Sequence, residues 1–244
     1  MPLFYQHENL HIYFGDASSA LSPHDHGLTT TSPSVDKLFA IPGYANLKKD
    51  LQLEHLMFLR QEHRTKGVFI EHAQSLIPFS DEGDFLATQL PKIGIGVLTA
   101  DCVPVVIYAP DIHAVSVVHA GWRGVVDGIV LIAALELRNR GAQPGKLQIF
   151  IGPCAKVCCY EVQAHFYHVM HPDYQSDAIF INGGHHFFDM PLLIQMQLQE
   201  LGISSEQINS AFNFCTICNH SFYSHRRQGP LAGRQMTVVA LLRS

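Results

Sequence analysis

The chain has 244 residues, 47% of them apolar and 15% charged, with 21 acidic against 16 basic side chains and a formal net charge of −5. That is enough chain to bury a sizeable core and too apolar a composition for a disordered or fibrous one. The acidic balance offers no general field for nucleic acid or an anionic membrane surface.

No stretch approaches the roughly 20 apolar residues that a bilayer crossing needs, and the opening MPLFYQHENL has neither the basic start nor the apolar run of an export signal. A cytoplasmic location is therefore expected. The six cysteines, at 102, 154, 158, 159, 215 and 218, are expected as free thiols, with one or more of them available to a metal.

In chain order, LTTTSPSVDK (28–37) predicts a loop and is the one weak candidate for a domain break. A helix is expected from about Leu51 to His63, with Leu53, Leu56, Met57 and Leu59 on one face. GVFIEHAQSLIPF (67–79) has strand composition with His72 at or just past its end, and FSDEGDFLAT (79–88) reads as a loop carrying Asp84. IGIGVLT, VPVVIY and HAVSVVHA, between residues 93 and 120, are three strands, and APDI is the turn joining the last two. Pro104 lacks an N–H and points to a bulge or an edge just after Cys102.

VVDGIVLIAALELRNRG (125–141) predicts an apolar helix ended by Gly141. KLQIFIG is a further strand, PCAKVCC a tight loop, and YEVQAHFYHVM a helix that stops near Pro172. In FFDMPLLIQMQLQELG, Asp189 caps a helix, Pro191 sits in its first turn and Gly202 marks its exit. INSAFNF and MTVVALL are strands around the loop CTICNHSFYSHRRQGPLAGR. With no internal repeat, residues 1–244 read as a single mixed α+β domain.

Chemistry gathers at a few points. Two strands in hairpin-like succession can return His119 to the neighbourhood of Cys102, and His72 also ends a β-like run. The three could give Zn²⁺ a mixed sulfur and nitrogen set with one position left for water or substrate. They could equally be independent structural residues, or Cys102 could be a nucleophile with His119 as its base. In HAGWRG the glycines permit close backbone approach and Arg123 offers donors to phosphate or carboxylate, although Trp122 could simply cap the core. Arg226, Arg227 and Arg234 form the richest cationic segment, suited to phosphate or to a solvated loop. Cys158–Cys159 with Cys215-x-x-Cys218 invite a second metal, but adjacent cysteines look like poor geometry for one tetrahedral ion. His165, His168 and His171 read as a solvent-facing stripe.

Taken together, TADCVPVVIY, VHAGWRG, IGPC…CYEV and CTICNHSFYSHRRQGPLAGR resemble the bacterial laccase-domain family, known both as polyphenol oxidases and as purine nucleoside phosphorylases with adenosine deaminase activity. The resemblance implies a single-domain α/β/β/α sandwich with mixed β-sheets, and Zn²⁺ on His72, Cys102 and His119. His72 is matched to the histidine of the family's Gln-Val-His-Gly, although this chain reads IEHA there. The implied activity is zinc-dependent phosphorolysis of adenosine, inosine, guanosine and S-methyl-5′-thioadenosine, with adenosine deamination. The expected partners are purine nucleosides and inorganic phosphate, and the chain is expected to be a monomer. In this reading Arg123, Arg226 and Arg227 bind substrate, and Asp84, Asp101 and Arg227 serve catalysis. The alternatives are a laccase-like polyphenol oxidase with copper, and a Cys/His hydrolase using Cys102 and His119.

Overall fold

A computed structural model describes residues 2–19, 42–74 and 76–242. The loop expected at 28–37 lies outside them. Strands β1 (Leu3–His7) and β2 (Leu10–Phe14) come first, then helix α1 (Pro42–Asp50) and strands β3 (His55–Met57), β4 (Gly67–Ile70) and β5 (Phe85–Thr88). β6 (Ile93–Thr99), β7 (Val103–Ala109) and β8 (Ala114–Ala120) lead into α2 (Trp122–Val126) and α3 (Ile129–Asn139). β9 (Gln148–Ile151), β10 (Glu161–Val162), α4 (Pro172–Ala178), β11 (Ile179–Asn182), β12 (His185–Phe188) and α5 (Met190–Glu200) follow. The last elements are β13 (Ile208–Asn209), α6 (His225–Gln228) and β14 (Gln235–Leu241).

The strands form a five-stranded sheet, β1-β2-β14-β6-β3, a six-stranded sheet, β13-β9-β7-β8-β5-β4, and a small three-stranded one, β10-β12-β11. Side-chain alternation at period two stacks the two large sheets. In β14, Val239 and Leu241 face Val106, Val117 and Phe150 of the six-stranded sheet. Met236, Val238 and Ala240 face the other way, toward Leu47 of α1. The far side of the six-stranded sheet presents Val105, Ile107 and Val118 to Ile129, Ala133 and Leu137 of α3 and to Leu193 and Leu198 of α5. Helix, sheet, sheet, helix is thus the layer order of one mixed α+β domain. Among the described residues no helix is long and apolar enough to cross a membrane.

Several local expectations are corrected. The helix expected over 51–63 is instead a turn just after α1 followed by β3. Leu56 and Phe58 enter the outer core layer while Met57 and Leu59 enter the layer between the sheets. A helix lying against one layer would strand some of these side chains, each worth about 1.5–3 kcal/mol when buried, so a strand between two cores wins. The supposed loop 79–88 contains β5. The apolar helix after β8 is broken at Gly128, whose φ of +76° is outside the helical range. The segment 160–170 holds β10 and a short 3₁₀ helix.

Pro104 marks neither edge nor bulge, because β7 lies inside the six-stranded sheet and Pro104 pairs in register with His119. The His119 N–H turns away to Asp84 O, so Pro104 faces β9, where its carbonyl accepts from Gly152 N at 2.9 Å. β9 has ended at Ile151, and the missing N–H therefore falls beyond the ladder.

Candidate metal centre

The β7–β8 hairpin brings the start of one strand to the end of the other, and with them Cys102 to His119. Asp101, just before the cysteine, has a φ of +89°, a conformation that costs a non-glycine residue about 1–3 kcal/mol. Three hydrogen bonds hold it there. Thr216 Oγ1 donates to its Oδ1 at 2.7 Å, the Arg226 N–H donates to Oδ2 at 2.6 Å, and its own carbonyl accepts from Ala155 N at 2.8 Å. The adjoining Cys102 is thereby aimed at the rim.

Asp84, 1% exposed, immediately precedes β5 and organises the opposite wall. Its Oδ1 lies 2.7 Å from His119 Nδ1 and accepts the His63 N–H at 3.0 Å, while Oδ2 accepts from Arg64 N at 2.8 Å and Glu62 N at 3.2 Å. Burial pushes this carboxyl up, but the His119 bond and charge and the backbone donors outweigh it, and the net shift is downward. With Asp84 on Nδ1, Nε2 of His119 is left for the cleft. His63 reaches the same point from a left-handed backbone, φ +59°. Its ring meets that of His119 edge-on, with centroids 4.7 Å apart.

One ligand atom each from His63, Cys102 and His119 lies within 4.8 Å of the others. Burial opposes charge on the sulfur, yet His119 and then His63 prevail and bring the Cys102 thiol down to about 6. Burial likewise opposes the imidazolium, but the Cys102 charge and the bonds to Asp84 and Cys102 carry His119 up to about 9. A thiolate facing two imidazoles, one of them held by a carboxylate, is a metal-ligand arrangement complete with its supporting shell. Gly121 of the HAGWRG run leaves the space it needs, since a Cβ there would meet His63 Cδ2 at 2.9 Å and Cys102 Sγ at 3.3 Å.

His72 has no part in this cluster. β4 and β5 run parallel, with Gly67 beside Phe85 and Ile70 beside Thr88. The rim with Asp84 is therefore at the start of β4, where His63 lies, and His72, exposed beyond the strand's far end, is at the opposite edge. The histidine missed was legible as Gln61-Glu62-His63, which keeps the family's Gln-x-His spacing. Gln61 clamps the segment to β6, donating to Leu98 O at 2.8 Å and accepting from Leu98 N at 2.7 Å.

Asp84 and Asp101 are engaged as described, each holding other site residues in place. Arg227 is consumed by the backbone: its Nη1 donates to the Thr216 and Ile217 carbonyls and its Nη2 to that of Phe222. It does not line the cleft. Arg123, Arg226 and Arg234 do, around a cavity of about 430 Å³ that also exposes Trp122 and Tyr160. Arg123 lies 4.3 Å from the Trp122 ring centre and Arg226 lies 4.9 Å from that of Tyr160. Arg226 also donates to Glu161 O at 2.6 Å. The Glu161 side chain meets His185 Nδ1 at 2.6 Å. His165, His168 and His171 are exposed.

The sandwich and its Cys/His centre define a laccase-domain enzyme. The chain belongs to that family: residues 43–242 match the one described as multi-copper polyphenol oxidoreductase laccase. It is 29% identical over 201 residues to a purine nucleoside phosphorylase of Clostridium acetobutylicum, covering 80% of each chain. It is 31% identical to adenosine deaminase RL5 of an unknown prokaryotic organism, over 78% of this chain and 76% of that one. Among solved structures, the hypothetical protein YfiH of Bacillus licheniformis superposes with a TM-score of 0.82 at 25% identity, covering 95% and 92% of the two chains. YlmD of Geobacillus stearothermophilus shares the fold, with a TM-score of 0.79 at 21% identity over the whole of both chains.

Two expectations are corrected by these findings. The zinc-dependent nucleoside phosphorylase and deaminase gives way to the laccase-type reading, because the matched family is a copper oxidoreductase and the cluster is a Cys/His set. On the same grounds the expected zinc is corrected: the Cys/His cluster is consistent with a copper-binding, laccase-like site. A cysteine with two histidines suits copper as well as zinc, and such N/S sites generally bind Cu²⁺ more tightly than Zn²⁺.

Proposed function

We propose that the chain is a laccase-type oxidoreductase that binds copper through His63, Cys102 and His119 and oxidises a small phenolic molecule seated in the adjoining cavity, with dioxygen as the oxidant that finally takes up the electrons and protons. The observation that carries this is the convergence of two imidazoles and a thiolate on one point at the cavity wall. When bound there, copper supplies a one-electron acceptor.

The chain's own residues supply the rest. Trp122 and Tyr160 offer aromatic faces for a flat ring. Burial, with the Cys102 charge nearby, pushes the Tyr160 phenol up to about 12, so it stays protonated and keeps an O–H to offer a substrate. Arg123, Arg226 and Arg234 bring positive charge to the same cavity. That charge favours the phenolate over the phenol, and the phenolate gives up an electron more readily. Asp84 holds the Nδ1 proton of His119 and fixes the ring against the sulfur.

Cys102, His119 and Asp84 also line up as nucleophile, base and orienting acid, which favours a cysteine hydrolase as the second reading. His63 separates the two, since a nucleophile needs no second imidazole on its sulfur. Metal content of untagged protein, measured with oxygen uptake on a phenol, tests the first reading. Copper and oxygen uptake that vanish together in His63→Ala support it. Turnover of an ester or amide by metal-free protein, blocked by alkylation, would replace it with the second. Purine release from adenosine and phosphate without oxygen uptake would overturn both.

A further inference from the structure

A second sulfur-rich cluster lies apart from the cavity. The sulfurs of Cys158, Cys159, Cys215 and Cys218 all lie within 4.8 Å of one another. The objection that adjacent cysteines are poor geometry for one tetrahedral ion is met by the local backbone. The N–H groups of Cys159 and Tyr160 both donate to Lys156 O, at 2.9 and 2.8 Å. The resulting turn brings both neighbouring thiols to bear on the Cys215-x-x-Cys218 loop. That loop is curled in turn by the Asn219 N–H, which donates to Cys215 O at 3.1 Å. Backbone N–H groups of Lys156, Ile217 and Cys218 point at the Cys215 sulfur.

We propose that these four cysteines bind one tetrahedral, thiophilic metal ion, of the Zn²⁺ class, as a closed structural site. With metal–sulfur bonds of about 2.3 Å, the sulfurs of such a site stand about 3.8 Å apart, compatible with the observed cluster. Four protein ligands leave no position for substrate, which makes the ion a staple.

What it joins is specific. Cys154 and Cys215 form a parallel bridge, with Cys154 N donating to Phe214 O and Thr216 N to Cys154 O. Thr216, next to Cys215, holds Asp101 beside Cys102, and Tyr160, next to Cys159, lines the cavity. The staple thus ties together the loop that carries Tyr160 into the cavity and the loop whose Thr216 holds Asp101, while none of the four cysteines lines the cavity.

The test uses the full chain, reduced, with Zn²⁺ and with Co²⁺ as a visible probe. A Cys102→Ser variant removes the cavity centre. It should still retain one ion per chain and give a tetrahedral tetrathiolate Co²⁺ spectrum. Adding Cys158→Ser and Cys218→Ser, both at exposed positions, should weaken that ion on the order of 100-fold or more. In unmutated protein, Zn²⁺ should protect these four cysteines from alkylation and a chelator should expose them. Retention of the tetrathiolate spectrum without Cys158 and Cys218 would overturn the proposal. So would a metal-free chain whose mass, before reduction, is lighter by the hydrogens of one or two disulfides among these residues.

Discussion

Asp84 Oδ1 sits 2.7 Å from His119 Nδ1, and the same oxygen accepts the backbone N–H of His63 at 3.0 Å. One buried carboxylate therefore sets two of the three candidate ligands, one through its ring and the other through its main chain. The site is built on the start of β5, which fixes where that carboxylate stands.

Asp84→Asn tests this relationship. An amide can turn its NH₂ toward Nδ1, which moves the ring proton to the nitrogen meant for the metal. Metal affinity should fall about 10–100-fold, as it does when an orienting partner is lost. The wild-type carboxyl is held below the usual range in the folded state, so its stabilisation is present above the ordinary carboxylate pKa and is lost as pH falls through the lower folded value. Melting curves across acid pH should show this loss in the wild type, and Asp84→Asn should flatten it.

The thiolate and imidazolium have a pH window of their own in metal-free protein. The Cys102 contribution is lost as pH falls through about 6, and that of His119 is lost as pH rises through about 9. The pair therefore stabilises most between those limits. Alkylation of Cys102 should show a midpoint near 6. His119→Ala should move it up toward the ordinary thiol range, and an unmoved midpoint would remove His119 as its cause.

Gly121 has room for no side chain. Its Cβ would press on the His63 ring at 2.9 Å and the Cys102 sulfur at 3.3 Å. Gly121→Ala should cost about 1–3 kcal/mol in overpacking and weaken metal binding. Metal titration combined with urea melts would show both losses, and unchanged metal affinity would contradict the packing described.

Arg226 and Arg227 are neighbours with opposite duties. Arg227→Ala strips donors from three carbonyls and should destabilise the chain by about 1–3 kcal/mol. Arg226→Ala, at an exposed position beside the Tyr160 ring, should leave the melting temperature nearly unchanged and raise KM for an anionic phenol. Parallel melts and steady-state kinetics separate the two, and a reversal of the pattern would exchange their roles.

The strands of residues 93–120 were legible because they carry long apolar text, and α5 because Asp189, Pro191 and Gly202 bracket it with strong end signals, whereas their stacking in layers came from the family resemblance. The meeting of Cys102 and His119 followed from hairpin length alone. His63 was missed despite its Gln-x-His spacing, for a different reason. Its place depends on β4 running parallel to β5, and strand direction leaves no mark in local composition, so a histidine after the strand looked as eligible as one before it. The helix expected at 51–63 failed similarly, because two core layers made both faces of a short apolar run buried. Arg227 looked like a ligand for phosphate, since carbonyls exposed by an irregular loop cannot be counted from the sequence.

The most direct measurement is copper K-edge absorption and electron paramagnetic resonance on chain carrying Cys158→Ser and Cys218→Ser, which leaves the cavity centre as the one Cys/His cluster among the described residues to load. One sulfur and two imidazole nitrogens should coordinate the ion, with the signal lost in His63→Ala and intact in His72→Ala. A signal that survives His63→Ala, or that shows no sulfur ligand, would contradict a centre built from His63, Cys102 and His119.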